Sequence, residues 1–377
     1  MLLGLAVAVV LAEVAFRVLG IEPERHAPMH WLAKDGAGFR ESDPWGDGLI
    51  KRPSRFAEAG IKMGEYVPGA QFKVAYSSNP RGYFDASNSV LMTVNSLGLR
   101  GTDVAAVKPP GTFRILGLGD SFMFGVGVKD GDTFLARLQD KLNTNAPPQR
   151  RFETLNAGVQ GYNTRDEAIC LEFGWLQLQP DLVLICFYIN DAYDDATILN
   201  NGEGLNIYAS KPPGLAQVSK LWDFVQYRYQ AHRLAKQTEA FYRQSYFSEA
   251  RSFLENPSER RVDWKASRAA LERVATITRE RRLQFGLVMF PELYNLNGNY
   301  PFQEIHALVR ESCERAGVPF LDLLETFRGR DAQTLWVHPT DHHPNEIAHG
   351  LAAAAIESFV REKFLNSSAT TNQTLSR

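Results

Sequence analysis

The sequence predicts an α/β protein built around a parallel sheet, and two patterns lead to that prediction. From Phe113 onward, short apolar runs of strand length alternate with longer segments whose apolar residues recur at helical spacing. Parallel strands joined by crossover helices produce this alternation, and the helices cover both faces of the sheet. The first apolar run ends in Gly119-Asp120-Ser121, at the position where open α/β sheets hold their functional groups.

The alternating region predicts five strands and five helices in one domain over residues 112–365. The strands are expected at 113–118, 152–156, 182–187, 285–290 and 318–321. The helices are expected at 132–143, 164–177, 264–282, 302–316 and 345–364. Together they predict a three-layer sandwich with a parallel five-stranded sheet in the middle.

Residues 1–21 are apolar apart from Glu13 and Arg17. These two residues are four apart, so on a helix they share a face and can pair, which lowers the cost of placing them in a bilayer. About 20 apolar residues can span a bilayer. The segment therefore predicts a retained membrane anchor, and a buried amphipathic helix is the alternative.

Residues 22–111 predict a small β-rich extension that ends in a linker. Short alternating runs occur at 71–76 and 90–94, and the turn residues 95–98 follow them. The segment Lys108-Pro109-Pro110-Gly111 leads into the α/β domain. The extension either braces the edge of the sheet or takes part in substrate binding.

Residues 192–263 interrupt the strand and helix alternation. The part at 218–253 is dense in aromatic and basic residues, at spacings that suit one or two amphipathic helices. Because this insertion leaves the sheet next to Asn190, it should lie on the functional face, where it would act as a lid or a channel wall. A packed helical hairpin without substrate contact is the alternative. Residues 366–377 are polar and predict a disordered tail.

Composition excludes some classes of function. The 377 residues carry a formal net charge of −2 at pH 7 and have no long basic run, so nucleic-acid binding is not indicated. Cys170, Cys186 and Cys313 lie in apolar or helical patterns without metal-binding spacing or a disulfide framework. Buried thiols are therefore expected.

Ser121 is the first candidate for chemistry, because it lies where a strand passes into a helix. A serine at such a turn can act as a nucleophile whose own N–H group stabilises the oxyanion that it creates. The alternative is that Asp120 and Ser121 only cap the following helix.

Three further stretches follow the Gly-Asp-Ser-Phe motif: Asn-Ala-Gly-Val-Gln-Gly-Tyr-Asn-Thr at 156–164, Phe-Tyr-Ile-Asn-Asp at 187–191 and Asp-His-His-Pro-Asn at 341–345. In this order the four stretches resemble the four blocks of the SGNH hydrolases, also called GDSL esterases and lipases. The resemblance covers residues 113–365. It implies the SGNH hydrolase fold with a flavodoxin-like strand order, and a serine esterase that needs no cofactor.

His343 is the predicted base for Ser121, and Asp341 is the predicted acid that orients it. Only one residue separates them, so a single loop can supply both, with one imidazole nitrogen on Asp341 and the other facing Ser121. The family pattern Asp-x-His-Pro falls on the same residues, and Pro344 suits the first turn of the next helix.

The neighbouring histidines His338, His342 and His349, together with Asp341, form an alternative set of metal ligands. The family pattern needs no metal, so none is expected, and His342 should point away from Ser121. For the oxyanion, the resemblance assigns three donors: the backbone N–H groups of Ser121 and Gly161 and the side-chain amide of Asn190.

The chain departs from the family where Tyr188 replaces the glycine of the usual Gly-x-Asn-Asp block. A ring at this position either narrows the cleft or packs into the fold. The polar and aromatic loop at 291–301 follows a predicted strand, so it should emerge on the catalytic side; it either contacts a sugar or acyl chain or is an ordinary surface loop.

The sequence and the resemblance together predict a serine esterase for an O-acyl ester, with O-acetyl preferred, on a surface glycan. The predicted location is the cell envelope, with the catalytic domain outside the cytoplasmic membrane. Two alternatives stay open. An O-acyltransferase would use the same acyl-enzyme, and a non-enzymatic glycan-binding or envelope assembly protein would use the same fold.

Overall fold

A computed structural model describes residues 2–23, 25, 29–42, 49–51, 55–59, 64–144, 146–192, 211–247 and 264–366. The strands are β1 (His30–Asp35), β2 (Gly38–Glu41), β3 (Ile50–Lys51), β4 (Glu65–Tyr66), β5 (Gln71–Ala75), β6 (Ser89–Thr93), β7 (Thr112–Gly119), β8 (Arg151–Asn156), β9 (Leu182–Phe187), β10 (Gln284–Met289), β11 (Phe320–Asp322), β12 (Trp336–His338) and β13 (Asp341–Pro344). The helices are α1 (Leu2–Val18), α2 (Ser121–Phe124), α3 (Phe134–Thr144), α4 (Thr164–Phe173), α5 (Lys220–Phe247), α6 (Trp264–Glu280), α7 (Gln303–Ala316), α8 (Leu324–Phe327) and α9 (Glu346–Val360).

The central sheet is parallel and has the strand order β11-β10-β9-β7-β8. In chain order this arrangement is 5-4-3-1-2, which is the flavodoxin-like order, so the predicted fold class is confirmed. The second strand, β8, lies on one side of β7, and the remaining strands β9, β10 and β11 are added on the other side. The strand order therefore reverses after β8. Ser121 follows the first strand of the sheet at this reversal, where ligands bind in open α/β folds.

Helices cover both faces of the sheet because its strands are apolar on both sides. All six residues of β9 are buried. Helix α3 packs against α9, and α4 packs against α6. Since crossovers are right-handed and the strand order reverses after β8, these two helix pairs lie on opposite faces, as the predicted three layers require.

The predicted elements agree with the observed ones to within a few residues, and two differences have local causes. The helix expected at 164–177 ends at Phe173, because Gly174 leaves the helical conformation and lies so close to Phe56 that a Cβ atom would be 2.4 Å from its ring. A separate 3₁₀ turn, Trp175–Leu178, follows. The helix expected to begin at 345 begins one residue later, because the Asn345 side chain caps it.

The N-terminal extension forms an antiparallel sheet of order β2-β1-β5-β6, as its alternating sequence predicted. Alternate residues of β5 are buried, among them Phe72 and Val74. Phe72 stacks near Phe124 of α2, and the backbone N–H of Arg100 donates to the carbonyl of Asn156 at the end of β8. The extension therefore packs on the β8 edge of the central sheet and reaches the helix that carries Ser121.

Helix α1 contacts the insertion through its two charged residues. Arg17 Nε donates to Glu13 Oε1 at 2.6 Å, and Glu13 in turn accepts hydrogen bonds from Ser219 Oγ and from the backbone N–H groups of Lys220 and Leu221. Glu13 thus caps the first turn of α5. Among the helices that the structure describes, none is both long enough and apolar enough to cross a bilayer. The membrane anchor expected at residues 1–21 stays a prediction.

The described part of the insertion, residues 211–247, contains the long helix α5. Its C-terminal end packs beside the central sheet: Tyr246 Oη donates to the carbonyl of Ile189 at 2.9 Å, and Arg243 Nη2 donates to the carbonyl of Pro301 at 3.0 Å. The remaining parts of the predicted lid, 193–210 and 248–263, and the tail 367–377 lie outside the described residues. Cys170, Cys186 and Cys313 are buried and free.

Candidate active site

Ser121 is the first residue of α2, and only Asp120 separates it from the end of β7. Asp120 caps this short helix, because its Oδ1 accepts from the backbone N–H of Phe122 at 2.8 Å. Gly119 allows the turn, since a Cβ atom there would lie 2.6 Å from Met123 Cβ. The cap that the sequence offered as an alternative to catalysis is therefore present, and the same turn presents the Ser121 hydroxyl.

Ser121, His343 and Asp341 form a continuous hydrogen-bonded chain. Ser121 Oγ lies 2.9 Å from His343 Nε2, and His343 Nδ1 lies 2.5 Å from Asp341 Oδ1. Ser121 Oγ is also 3.4 Å from Asp120 Oδ2, which is a much longer contact. The structure thus brings together the three residues that the sequence named, although they come from two segments more than 200 residues apart.

The charges of Asp341 and His343 favour an imidazole that can accept the Ser121 proton. Burial alone would raise the pKa of Asp341, but the attraction of His343 and the hydrogen bonds of His343 and Tyr76 lower that pKa to about 2. Burial acts to lower the pKa of His343, and the charge and hydrogen bond of Asp341 outweigh it and raise that pKa. Asp341 is therefore ionised and accepts from Nδ1–H, which leaves Nε2 free to take a proton.

A tight hairpin holds Asp341 and His343. Strands β12 and β13 pair in an antiparallel manner, and Asn345 Nδ2 donates to the carbonyls of Thr334 and Trp336. Asn345 Oδ1 also accepts from two backbone N–H groups in the first turn of α9. Pro344 belongs to β13 and lies two residues before Glu346, the first residue of α9, so the prediction that it occupies the first helical turn was wrong; the Asn345 cap fixes the loop instead.

Gly161 and Asn190 stand after the two strands that flank β7. The backbone of 157–159 continues the pairing with β7, because Val159 N donates to the carbonyl of Gly119. Gly161 follows in a left-handed conformation with φ 78°, which favours glycine. Asn190 Nδ2 donates to Asp120 Oδ2 at 3.0 Å. This contact ties the Asn190 amide to the turn that carries Ser121. The amide has a second N–H group, which can donate to another acceptor.

The other histidines of the C-terminal region have separate partners. His342 is exposed and stacks on Trp336, with ring centroids 3.8 Å apart. His338 bonds to Ser78 and Thr340, and His349 Nδ1 accepts from the backbone N–H of Phe134. Within the described part of the chain, no group of three His, Cys, Asp or Glu side chains is arranged to hold a metal ion.

Comparison with known proteins agrees with this geometry. Residues 118–351 match the model of the GDSL-like lipase/acylhydrolase family, which is more than half of the chain. The chain belongs to that family. It is therefore a serine hydrolase of the class that the four motifs predicted. A comparison with curated proteins gave no significant match.

Several solved structures resemble this GDSL-like hydrolase at low identity. The α/β hydrolase enzyme LAE5, from the metagenome of Lake Arreo in Spain, is 19% identical with a TM-score of 0.40, over 66% of this chain and 94% of that chain. An acetylxylan esterase from Geobacillus stearothermophilus is 16% identical with a TM-score of 0.41, over 67% and 96%. A two-domain esterase active on acetylated mannans is 17% identical with a TM-score of 0.39, over 67% and 49%.

Tyr188 lies beside the nucleophile in this GDSL-like hydrolase. Its ring stacks on Phe122, with centroids 3.8 Å apart, and its hydroxyl donates to Glu292 in the loop after β10. The Phe122 ring in turn lies 5.6 Å from the His343 ring. Burial raises the pKa of Glu292. Tyr188, the residue that departs from the family pattern, thus packs into the fold next to the catalytic residues, and the half-buried Glu292 carboxyl group accepts a hydrogen bond from its hydroxyl.

Three features near the site were not predicted from the sequence: Tyr76, the orienting role of Asp120, and Glu292. Asp120 precedes the nucleophile in the first motif, so its position was a usable signal. Glu292 lies in the polar loop that follows β10. The only indication from the sequence was that this loop follows a predicted strand and should therefore emerge on the catalytic side. Tyr76 carried no signal, because it belongs to the extension and lies 265 residues from its partner Asp341.

Proposed function

We propose that this hydrolase cleaves an O-acyl ester through a Ser121-His343-Asp341 triad and a covalent acyl-enzyme. The observation that carries the proposal is the hydrogen-bonded chain from Ser121 Oγ through both nitrogens of His343 to Asp341. A hydroxyl, a base and an ionised carboxylate in this geometry are the elements that activate a serine nucleophile.

The reaction proceeds in two halves. Nε2 of His343 takes the Ser121 proton as Oγ bonds to the acyl carbon, and the tetrahedral intermediate collapses when the alcohol leaves with that proton. Water then enters, gives a proton to Nε2 and attacks the acyl-enzyme, which releases the carboxylic acid and restores the Ser121 hydroxyl. Asp341 keeps Nδ1 protonated throughout and stabilises the imidazolium.

The developing oxyanion is assigned to the backbone N–H groups of Ser121 and Gly161 and to the amide of Asn190. The positions of these residues after β7, β8 and β9, three adjacent strands of the sheet, support the assignment. Carboxyl ends of neighbouring parallel strands meet at one edge of a sheet, and on that basis the three groups are proposed to converge on one oxygen atom.

A fluorophosphonate probe tests the nucleophile directly. The folded protein is expected to gain one phosphonyl group on Ser121, with fluoride as the leaving group, because the probe reacts with serines that have an activated hydroxyl. The Ser121→Ala variant should remain unlabelled, whereas Ser267→Ala, which removes a buried serine bonded to Thr164, should label like the parent. A folded protein that never labels would contradict the hydrolase and favour the glycan-binding alternative.

A short acyl group is proposed because the Tyr188 ring occupies the space next to Phe122, whose own ring lies 5.6 Å from the His343 ring. Replacing Tyr188 with alanine should open this space and raise kcat/KM for p-nitrophenyl octanoate relative to the acetate ester by about 10-fold or more, the scale at which apolar pockets discriminate methylene groups. Tyr294→Ala, which truncates an exposed tyrosine in the same loop as Glu292, is the control. Equal ratios in both variants would show that Tyr188 does not limit the acyl chain.

A glycan is the proposed alcohol side of the ester, with O-acetyl as the acyl group. Exposed amide and tyrosine side chains of the loop at 291–301, which begins next to Glu292, support this choice, since such groups bind sugar hydroxyls. Incubation with an acetylated polysaccharide should release free acetate in an amount that matches the loss of ester. Recovery of the acetyl group on an added acceptor sugar would instead identify an O-acyltransferase.

The cell envelope is proposed as the location, on the basis of the apolar segment at 1–21. Fractionation of cells that express the full chain should recover it outside the cytoplasm, together with an envelope marker. Recovery with a cytoplasmic marker would contradict this proposal and leave the chemistry of the site unaffected.

A further inference from the structure

The N-terminal extension reaches the acid of the proposed triad. Tyr76, immediately after β5, donates its hydroxyl to Asp341 Oδ2 at 2.6 Å. The other oxygen of that carboxylate, Oδ1, faces His343 Nδ1 and also accepts from the backbone N–H of His343 at 3.1 Å. Tyr76 is 5% exposed and Asp341 is 4% exposed, so water does not compete for this bond. Each oxygen of Asp341 therefore has its own donor, and one donor comes from outside the α/β domain.

Packing fixes the Tyr76 ring in place. It stacks between Phe84, at 4.8 Å between centroids, and His338, at 5.1 Å. Gly127 leaves the room for the hydroxyl, since a Cβ atom there would lie 2.8 Å from Tyr76 Oη and 2.5 Å from Val337. Phe84, His338 and Gly127 thus confine the Tyr76 ring and its hydroxyl, in addition to the bond with Asp341.

Two further residues of the extension hold the segment that carries Asp341. Ser78 Oγ lies 3.0 Å from His338 Nε2. Arg81 Nη1 donates to the carbonyls of Trp336 and Val337, both at 2.8 Å, and the Arg81 guanidinium pairs with Glu346 at the start of α9. These contacts join the extension to β12 and to α9, on both sides of Asp341, and so tie the segment that carries Tyr76 to the segment that carries Asp341.

The direction of the bond follows from the charges. Burial and the nearby Asp341 raise the pKa of Tyr76 well above its ordinary value, so Tyr76 is a neutral donor. Asp341 is ionised and can only accept. The Tyr76 proton therefore offsets part of the negative charge that would otherwise act on His343.

We propose that Tyr76 is a positioning residue for this hydrolase: by holding Asp341 Oδ2, it sets the orientation of the carboxylate and the strength with which His343 holds its proton. In addition to bracing the β8 edge of the sheet, one of the two roles expected from the sequence, the extension is then a part of the catalytic apparatus. The proposal rests on the proposed triad.

Tyr76→Phe removes the hydroxyl and keeps the stacked ring. Without the Tyr76 proton, the full charge of Asp341 acts on His343 and stabilises the imidazolium, so the proton should leave His343 at higher pH. Besides Asp341, the titratable groups whose charges act on His343 are Asp120, Glu292, His342 and His349, and the Arg81 charge acts on Tyr76. Tyr76→Phe leaves all of them in place.

Titration of the histidine ring nitrogens by NMR tests the proposal without requiring turnover. In Tyr76→Phe the His343 midpoint should move upward by about 0.5 pH unit or more, and the acid limb of kcat/KM for p-nitrophenyl acetate should move with it. At neutral pH, kcat/KM should fall by about 10-fold, as expected for the loss of one charge-assisted hydrogen bond.

Tyr83→Phe is the matched control, because Tyr83 is in the same segment and donates to Asp132, another carboxylate. It should leave the His343 titration at its original midpoint. An unchanged His343 midpoint in folded Tyr76→Phe, or an equal loss of activity at every pH, would overturn the positioning role. If the parent protein labels on Ser121 but the midpoint does not move, only this inference fails; if Ser121 never labels, the proposed function fails, and the titration still decides whether Tyr76 acts on His343.

Discussion

His343→Ala is expected to lower kcat/KM for p-nitrophenyl acetate by about 10⁴-fold or more, whereas His342→Ala keeps most of the activity. The two histidines are adjacent in sequence but differ in surroundings. His343 lies between Ser121 Oγ and Asp341 Oδ1, while His342 stacks on Trp336 at the surface. Alanine at 343 leaves the Ser121 hydroxyl without a base, because the next acceptor, Asp120 Oδ2, is 3.4 Å away.

The pair of variants contains its own control, since each removes one imidazole from the same hairpin. Steady-state kinetics at pH 8 with both proteins, together with melting temperatures, separate a missing base from a disturbed loop. A greater loss in His342→Ala than in His343→Ala would reassign the base. Comparable losses in both, accompanied by lower melting temperatures, would mean that the hairpin and not the imidazole limits activity.

The pH profile of the parent protein follows from the same contact. The base must be neutral to accept the Ser121 proton, and Asp341 raises the pKa of His343. The acid limb of kcat/KM should therefore lie above the ordinary histidine pKa, and activity should fall as pH decreases through it.

Local patterns predicted the central fold because its strands are buried on both faces. The six residues of β9 are all apolar and all buried, so the sequence shows an uninterrupted run with clear ends. The predicted bounds of the amphipathic helix α6 differ from the observed bounds by no more than two residues. The motif residues Ser121 and His343 could be paired from the sequence alone, because the order of the four motifs indicated their roles.

The features that the sequence did not predict depend on contacts between segments far apart in the chain, and no local sequence pattern indicates such contacts. Tyr76 appears in the sequence as one residue of an alternating strand, and only the packing of the extension against β12 brings it to Asp341. Likewise Glu13 appeared as an interruption in an apolar run, and the structure makes it the cap of α5. In both cases a polar side chain acts on an element more than 200 residues away.

The oxyanion assignment of Asn190 is tested by a matched pair of amide truncations. Asn143 and Asn190 each donate through Nδ2, but Asn143 bonds to the carbonyls of Gln139 and Phe152, at the opposite end of β8 from the site. Asn143→Ala should lower the melting temperature through the lost hydrogen bonds and leave kcat close to that of the parent protein.

Asn190→Ala is expected to lower kcat by about 10²–10³-fold with a small change in KM, because an oxyanion donor acts on charge that develops only in the transition state. One N–H group of the Asn190 amide donates to Asp120 Oδ2, and in the proposed role the second N–H donates to the oxyanion. Truncation also removes a donor from the buried Asp120, so a loss of stability of about 1–3 kcal/mol is expected alongside the kinetic effect. Measuring kcat at saturating substrate distinguishes the oxyanion role from a purely structural role. A folded variant with lower stability and an unchanged kcat would show that Asn190 only orients Asp120. A large loss of kcat in Asn190→Ala, combined with an unchanged kcat in Asn143→Ala, would instead assign the amide to the transition state.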